Sequence, residues 1–339
     1  MARNAAAAFV AALALGSLVP AQAFAWGSTG HRMIGELAAQ NLPDEMPAFL
    51  RTPDAVAQIG ELAREPDRSR GSGTVHDAER DPGHFVDASD DLTVLGGPSL
   101  KALPPTRSDY DTALRAAGAT QYKAGYLPYS IIDGWQQLRT DLAYWRIDTA
   151  GEKFAKTDAA RDWFAADRRL REMLTIRDFG VWAHYVGDAS QPLHVSVHYD
   201  VWGDFPNPEG FSTVKGLHAR FEGHFVNANI AESDLSPLLA PTRDCACAIE
   251  VRTADYLVAS QAFVVPLFRL EKAHAFDGNS PDGKAFVAAR LAAGASELRD
   301  MALDAWHASA DVRLGYPPLS VKDIEAGTVD ALAMMQGAE

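Results

Sequence analysis

Every long apolar segment of this chain repeats at the period of an α-helix, and no stretch sustains the alternation of a strand. Residues 28–42 set Met33, Ile34, Leu37 and Leu42 on one face. Residues 129–146 do the same with Ile131, Ile132, Trp135, Leu138, Leu142 and Trp145. Residues 159–186 carry Trp163, Phe164, Leu170, Leu174, Phe179 and Trp182, and the segments 110–117, 248–275 and 283–308 complete the set. The Pro- and Gly-rich stretches at 65–83, 95–105 and 202–216 read as loops. The expectation is an all-α fold, a single mostly helical domain over residues 26–339 with functional loops between helices. An apolar content of 47% is enough for an ordinary core.

The first 25 residues read as a secretory signal peptide. Arg3 supplies the positive start, residues 5–18 are almost wholly apolar, and Ala23-Phe24-Ala25 is a small-x-small cleavage site. Cleavage there leaves Trp26 first, with a free α-amine beside a backbone carbonyl, a pair able to chelate a metal. The mature protein is expected to be exported, to the periplasm or beyond. No later apolar run is long enough to span a bilayer. A formal charge of −14 argues against a protein that grips a long duplex by neutralising phosphates. It leaves room for a phosphodiester enzyme whose bound metals supply local positive charge. Cys245 and Cys247, the only cysteines, can close a tight loop but not a disulfide framework, and a Cys-x-Cys metal site lacks two further soft ligands.

The richest stretch is His184-Tyr-Val-Gly-Asp188-Ala-Ser-Gln191-Pro192-Leu193-His194. His184 and Asp188 share a face at the end of an expected helix, and His194 follows a Pro turn that can fold back towards them. His218 and Glu222 are again four apart. Such spacing is weak by itself, and the third pair, His307 and Asp311, is set aside as a coincidence at a helix end. Context makes the case. Trp26-Gly27-Ser28-Thr29-Gly30-His31 opens the chain after the leader, Asp67-Arg68-Ser69-Arg70 lies in an irregular loop, and His84-Phe85-Val86-Asp87 follows a Pro-Gly turn.

Together these blocks resemble the zinc-dependent single-strand nuclease family, the fungal S-one/P-one and plant mung bean type, within the three-zinc phospholipase C/nuclease superfamily. The resemblance runs from Trp26 to about Glu222. It implies three zinc ions: one on Asp67, His84, His184 and Asp188, a second on His194, His218 and Glu222, and a third on the Trp26 amine and carbonyl, His31 and a bridging oxygen of Asp188. Ligands of this hardness with open positions suit catalytic zinc. The resemblance also implies that Asp67 orients the nucleophile, that Arg70 contacts phosphate, that Phe85 stacks on a nucleobase and that Asp87 accepts a hydrogen bond from the base edge. Asp77 and Asp81 are rivals of Asp67 by proximity to His84. His76, His198, His224 and His274 read as packing or surface residues. Two features depart from the nuclease pattern. Glu222 stands where the nucleases usually carry Asp and the phospholipases Glu, and the segment Gly203-Asp204-Phe205-Pro206-Asn207-Pro208-Glu209 replaces a Gly-Gly-Asn element.

The function these residues imply is an exported zinc-dependent phosphodiesterase. It would be an endonuclease cutting single-stranded DNA and RNA to 5′-phosphate products, with 3′-nucleotidase activity alongside. The alternatives are a zinc-dependent phospholipase C and an exported zinc-binding protein without turnover. Nucleic acid or nucleotides are the only partners implied.

Overall fold

The computed structural model describes residues 26–337, so the signal peptide and its cleavage site lie outside the described residues. Among the described residues eight helices of nine residues or longer dominate: α1 Gly27–Gln40, α2 Pro53–Leu62, α3 Arg107–Ala116, α4 Leu127–Phe154, α5 Asp158–Ser190, α6 Ile249–Gln261, α7 Val264–Lys272 and α8 Pro281–Ser309. Among the described residues the sheet amounts to two antiparallel strands of two residues, β1 Arg313–Leu314 on β2 Leu319–Ser320. The fold is all-α.

Three details differ from the sequence expectation. Helix α2 was not anticipated, and the expected loop 65–83 contains the short helices Glu65–Arg68 and Thr74–Arg80 and a 3₁₀ turn at Asp81–His84. The single segment 248–275 is two helices. Pro266 stands in the first turn of α7, and its ring has no room against the carbonyl of Ala262, so the chain breaks there.

Two long helices, α4 and α5, run antiparallel and form the spine. Thr157 caps α5 by accepting a hydrogen bond from the Ala160 amide at 3.1 Å. Near the other end Trp182 lies over Gly134 of α4 and donates its indole N–H to the Ile131 carbonyl at 2.9 Å. Trp135 ties α4 to α8 through the Met301 carbonyl at 3.0 Å. Helix α1 packs on α2, α5 and α8. It crosses α5 at Gly187, where an added Cβ would meet His31 Nδ1 at 3.1 Å. That close crossing brings the first helix to the residues that end the fifth.

The α4–α5 seam also holds two carboxyl pairs, each with one buried member, Asp141 or Asp148. Asp141 faces Asp178, and Asp148 faces Asp167. Burial, reinforced by the facing carboxyl, pushes Asp141 up to about 7 and Asp148 up to about 8. A raised carboxyl means the folded chain holds protons that the unfolded chain has released. This stabilisation is complete below the ordinary aspartate range near 4 and is lost as pH rises towards 8. At fixed metal content the melting temperature should therefore fall from about pH 5 to pH 8 by a few degrees more in the native protein than in Asp148→Asn. Calorimetry at the two pH values checks this, and equal slopes would contradict it.

Candidate metal centre

Helix α5 ends at Ser190, and Pro192, with no N–H to continue the ladder, turns the chain into a 3₁₀ turn, Pro192–Val195. His184 and Asp188 therefore stand on the last two turns of α5, with His194 folded back beside them. The short helix Leu217–Ala219 passes into a π-helical turn, Arg220–Phe225, which carries His218 and Glu222 to the same place. The 3₁₀ turn at Asp81–His84 delivers His84, and the helix Glu65–Arg68 delivers Asp67. All seven of these side chains and His31 are buried.

Three groups result, each with ligand atoms close enough to share one cation: His31, His184 and Asp188; Asp67, His84 and His184; His194, His218 and Glu222. The two oxygens of Asp188 face different groups. Oδ1 lies 3.3 Å from His31 Nε2, and Oδ2 lies 3.2 Å from His84 Nδ1 and 3.4 Å from His184 Nε2. Asp67 Oδ1 is 3.9 Å from His84 Nδ1 and 3.8 Å from His184 Nε2. In the third group Glu222 Oε2 is 2.8 Å from His218 Nε2 and 3.7 Å from His194 Nε2. Tetrahedral zinc with ligands at about 2.0–2.1 Å sets neighbouring ligand atoms roughly 3.3 Å apart, within this spread.

The hydrogen-bond chemistry tests whether these residues fit a cation. His184 Nδ1 meets the Ala63 carbonyl at 2.8 Å, His194 Nδ1 the His84 carbonyl at 2.6 Å, and His218 Nδ1 the Tyr199 carbonyl at 2.7 Å. A carbonyl only accepts, so each Nδ1 carries the hydrogen, and each neutral imidazole presents a lone pair at Nε2. The His194 and His218 lone pairs then face each other at 3.0 Å, and His184 Nε2 faces His84 Nδ1 at 2.9 Å. The two lone pairs of His194 and His218 repel at that distance unless a cation or proton sits between them. Both nitrogens of His31, Asp67 Oδ1, Asp188 Oδ1 and Glu222 Oε1 are buried without a hydrogen-bond partner among the described residues. The set fits divalent cations.

The electrostatics agree. Burial alone would lower the His194 imidazole, but the Asp188 and Glu222 carboxylates outweigh it and push it up to about 9. Burial would raise Asp188, yet His184 and its other imidazole neighbours hold it well below the usual range. An anionic hollow of this kind binds a proton when no metal is there, so metal uptake should release protons.

Trp26 is fully buried against Phe221, with its indole N–H shared between the Gly187 carbonyl at 2.9 Å and Ser190 Oγ at 2.8 Å. The side chain thus pins residue 26 at the end of α5, one helical turn before His31. Gly30 is required for this approach, because a Cβ there would come within 2.8 Å of Trp26 Cβ. The Trp26 carbonyl accepts the Gly30 amide at 3.1 Å and keeps a second lone pair.

Of the rival loop carboxylates, Asp67 is the one inside the cluster. Asp81 is 45% exposed and faces Arg70 at 3.6 Å, while Asp77 accepts from the Gly71 amide and pairs with His76. Arg70 Nε lies 3.5 Å from Asp67 Oδ1. Phe85 and Asp87, half-buried, follow His84 in extended backbone, with the Asp87 amide bonded to the Ala124 carbonyl at 2.8 Å. Burial pushes the Asp87 carboxyl up to about 7 against the pull of Lys123. His307 pairs with Glu45 and Asp244, and Asp311 with Lys322, so that spacing is a coincidence. His198 is a packed residue, stacked on Trp202 at 4.0 Å and bonded to Asp90. His76 and His274 pair locally with Asp77 and Asp277, and His224 is exposed.

Two residues that orient ligands escaped sequence reasoning. Gln191 donates to Glu222 Oε2 at 3.0 Å while its carbonyl oxygen accepts from the Leu193 amide at 2.6 Å. Asp200 accepts from the Gly216 and His218 amides and closes the loop that carries Tyr199. Gln191 lies inside the motif, and its amide between two ligands was the available signal. Asp200 offered none.

No family model and no curated protein sequence matches the chain. Among solved structures it is similar to the crystal structure of the alpha-toxin of Clostridium perfringens isolated from avian strain SWCP, at 14% identity over 87% of this chain and 68% of that one, with a TM-score of 0.34. A likeness at that level carries no argument about function.

The bridging geometry of Asp188 yields a test. Asp188→Asn should lose more than one equivalent of bound metal by mass spectrometry, whereas Asp81→Asn should keep all of it. Equal metal content in native protein and Asp188→Asn would show that the carboxylate is not shared.

Proposed function

We propose that this chain is an exported three-zinc phosphodiesterase that cuts single-stranded DNA and RNA to 5′-phosphate products and removes 3′-phosphates from nucleotides. The observation that carries the reading is the shared Asp188 carboxylate, which joins buried imidazole lone pairs into one centre. The centre reaches a cavity of about 530 Å³ through Asp67 and Glu222. Cysteine-closed structural zinc would need no such opening.

In this reading Asp67, His84, His184 and Asp188 hold one zinc, His194, His218 and Glu222 a second, and His31, Asp188 and the Trp26 backbone a third. Zinc so held supplies Lewis acidity at the phosphoryl oxygens and lowers the pKa of water to about 7. Asp67, at the cavity edge, orients the attacking water and accepts its hydrogen bond. Arg70, beside Asp67, offers N–H donors to a phosphate oxygen. Phe85 gives a face on which an unpaired base stacks, and Asp87 accepts from the base edge. Stacking is indifferent to sequence and excludes paired bases, and a net charge of −14 gives a duplex backbone no grip.

Phe85→Ala should cost about 1–3 kcal/mol of single-strand binding, seen as raised KM, with a smaller effect on bis(p-nitrophenyl) phosphate. Asp87 is the stronger acceptor when ionised, so KM for single strands should fall as pH rises through about 7, a dependence that Asp87→Asn removes. Purified protein offered single-stranded DNA, RNA, a 3′-nucleotide and phosphatidylcholine side by side decides the substrate class. Glu222 gives the phospholipase C reading its one specific support, and phosphatidylcholine turnover above nucleic-acid turnover would establish it. Bound metal with no turnover of any phosphodiester would leave a zinc-binding protein.

The new N-terminus gives a separate check. An amide nitrogen has no lone pair for a metal, while a free α-amine with a pKa near 8 can be deprotonated by zinc. Protein beginning at Trp26 should hold about one zinc more, and turn over faster, than protein with a short uncleaved extension. Equal zinc and equal kcat would remove Trp26 from the ligand set.

A further inference from the structure

The cavity over the centre is larger than one phosphate requires, and it falls in the range of about 300–1,000 Å³ that takes whole small ligands. Its floor carries Asp67 and Glu222, one carboxylate from each of two metal groups. Its walls come from three distant segments. The turn after α2 gives Arg64 and Arg68, the π-helical turn and its continuation give His224 and Asn227, and the start of α1 gives Ser28. These five are hydrogen-bond donors, and among the described residues no Phe, Tyr or Trp lines the cavity. Such a wall lacks the broad aromatic face of a base-stacking platform. It suits phosphate oxygens.

The two guanidiniums are held in place without being used up. Arg64 is fixed by Glu61 at 2.6 Å, and Arg68 by Glu65 at 2.8 Å and Glu61 at 3.5 Å. Each guanidinium has five N–H groups, and Arg64 Nε is buried with no hydrogen-bond partner among the described residues. The remaining acids at the cavity, Asp67 and Glu222, are turned towards the imidazoles of the metal groups.

Building on the nuclease reading, we propose that Arg64, Arg68, His224, Asn227 and Ser28 form a backbone subsite that holds the phosphate of the nucleotide next to the scissile bond, away from the base held by Phe85. The strand is thus gripped by its base on one side and by its backbone on the other. The same wall disfavours a choline headgroup, because a quaternary ammonium seeks aromatic faces or free carboxylates and would meet two arginines instead. The subsite makes the chain an enzyme of oligonucleotides rather than of the shortest diesters.

Steady-state kinetics on bis(p-nitrophenyl) phosphate, dithymidylate and tetrathymidylate test the proposal in native protein, Arg68→Ala, Arg68→Lys and His224→Ala. Arg68 and His224 are exposed, so the folds should hold, with melting temperature as the control. Native kcat/KM should be higher on tetrathymidylate than on dithymidylate. Arg68→Ala should lose about tenfold on tetrathymidylate, mainly through KM, and several-fold less on the other two substrates. The slope of log KM against log salt on tetrathymidylate should shrink by about 0.7 in Arg68→Ala and recover in Arg68→Lys. A purely structural role would not move that slope. Equal losses on all three substrates would overturn the subsite and make Arg68 a support for Asp67. Equal native efficiency on the two oligonucleotides, with no effect of the variants, would remove the subsite and leave the nuclease reading standing. Hydrolysis of bis(p-nitrophenyl) phosphate with neither oligonucleotide cleaved would end the nuclease reading and the subsite with it.

Discussion

The Asp188 carboxylate is the interaction on which the rest of the structure depends. Fully buried, it points one oxygen at His31 on α1 and the other at His84 and His184. A buried carboxylate with an unpartnered oxygen is costly unless cations or donors compensate it. His184 is close by in the same helix, but the rest of the compensation comes from His31 and His84, each more than one hundred residues away. The close crossing at Gly187 and the anchoring of Trp26 beneath Ser190 follow from that requirement, because both bring the start of α1 within reach of Asp188.

A second layer of structure serves to aim the imidazoles. Three histidines donate Nδ1–H to main-chain carbonyls, and those carbonyls belong to Ala63, His84 and Tyr199, residues in turns that adjoin other ligands. His84 does both jobs, presenting its ring to Asp188 and its carbonyl to His194. The two parts of the centre are therefore mechanically linked. A shift of the 81–84 turn would rotate a ligand in each part, which makes the Pro82-Gly83 geometry a property of the whole site.

What was legible in the sequence is what depends on local spacing. Helical period gave α1, α4, α5 and α8, and the His184–His194 block announced its own convergence. Trp26, His31, His84, His218 and Glu222 were nameable because short motifs carried them. The choice between Asp67 and Asp81 was not legible, since both lie near His84 along the chain and only the packing of Glu65–Arg68 against α5 selects one. The break in 248–275 was readable in principle at Pro266. Helix α2 was missed although its signals are ordinary, with Thr52 capping and Pro53 opening it. The donor wall of the cavity could not be read at all, because Ser28, Arg64 and His224 become neighbours only when three segments fold together.

The two acid systems pull in opposite directions with pH. The carboxyl pairs of the α4–α5 seam, Asp141 with Asp178 and Asp148 with Asp167, favour the folded state while they keep a proton. The metal centre favours it when His194 and its neighbours have given theirs up, because a protonated imidazole cannot ligate. Helix α5 belongs to both systems, with Asp167 and Asp178 along its length and His184 and Asp188 at its end. Acid should therefore empty the centre while the seam still holds the two long helices together. Loss of metal and loss of fold become separable events, and the spine can persist as a scaffold that rebinds metal when the pH returns.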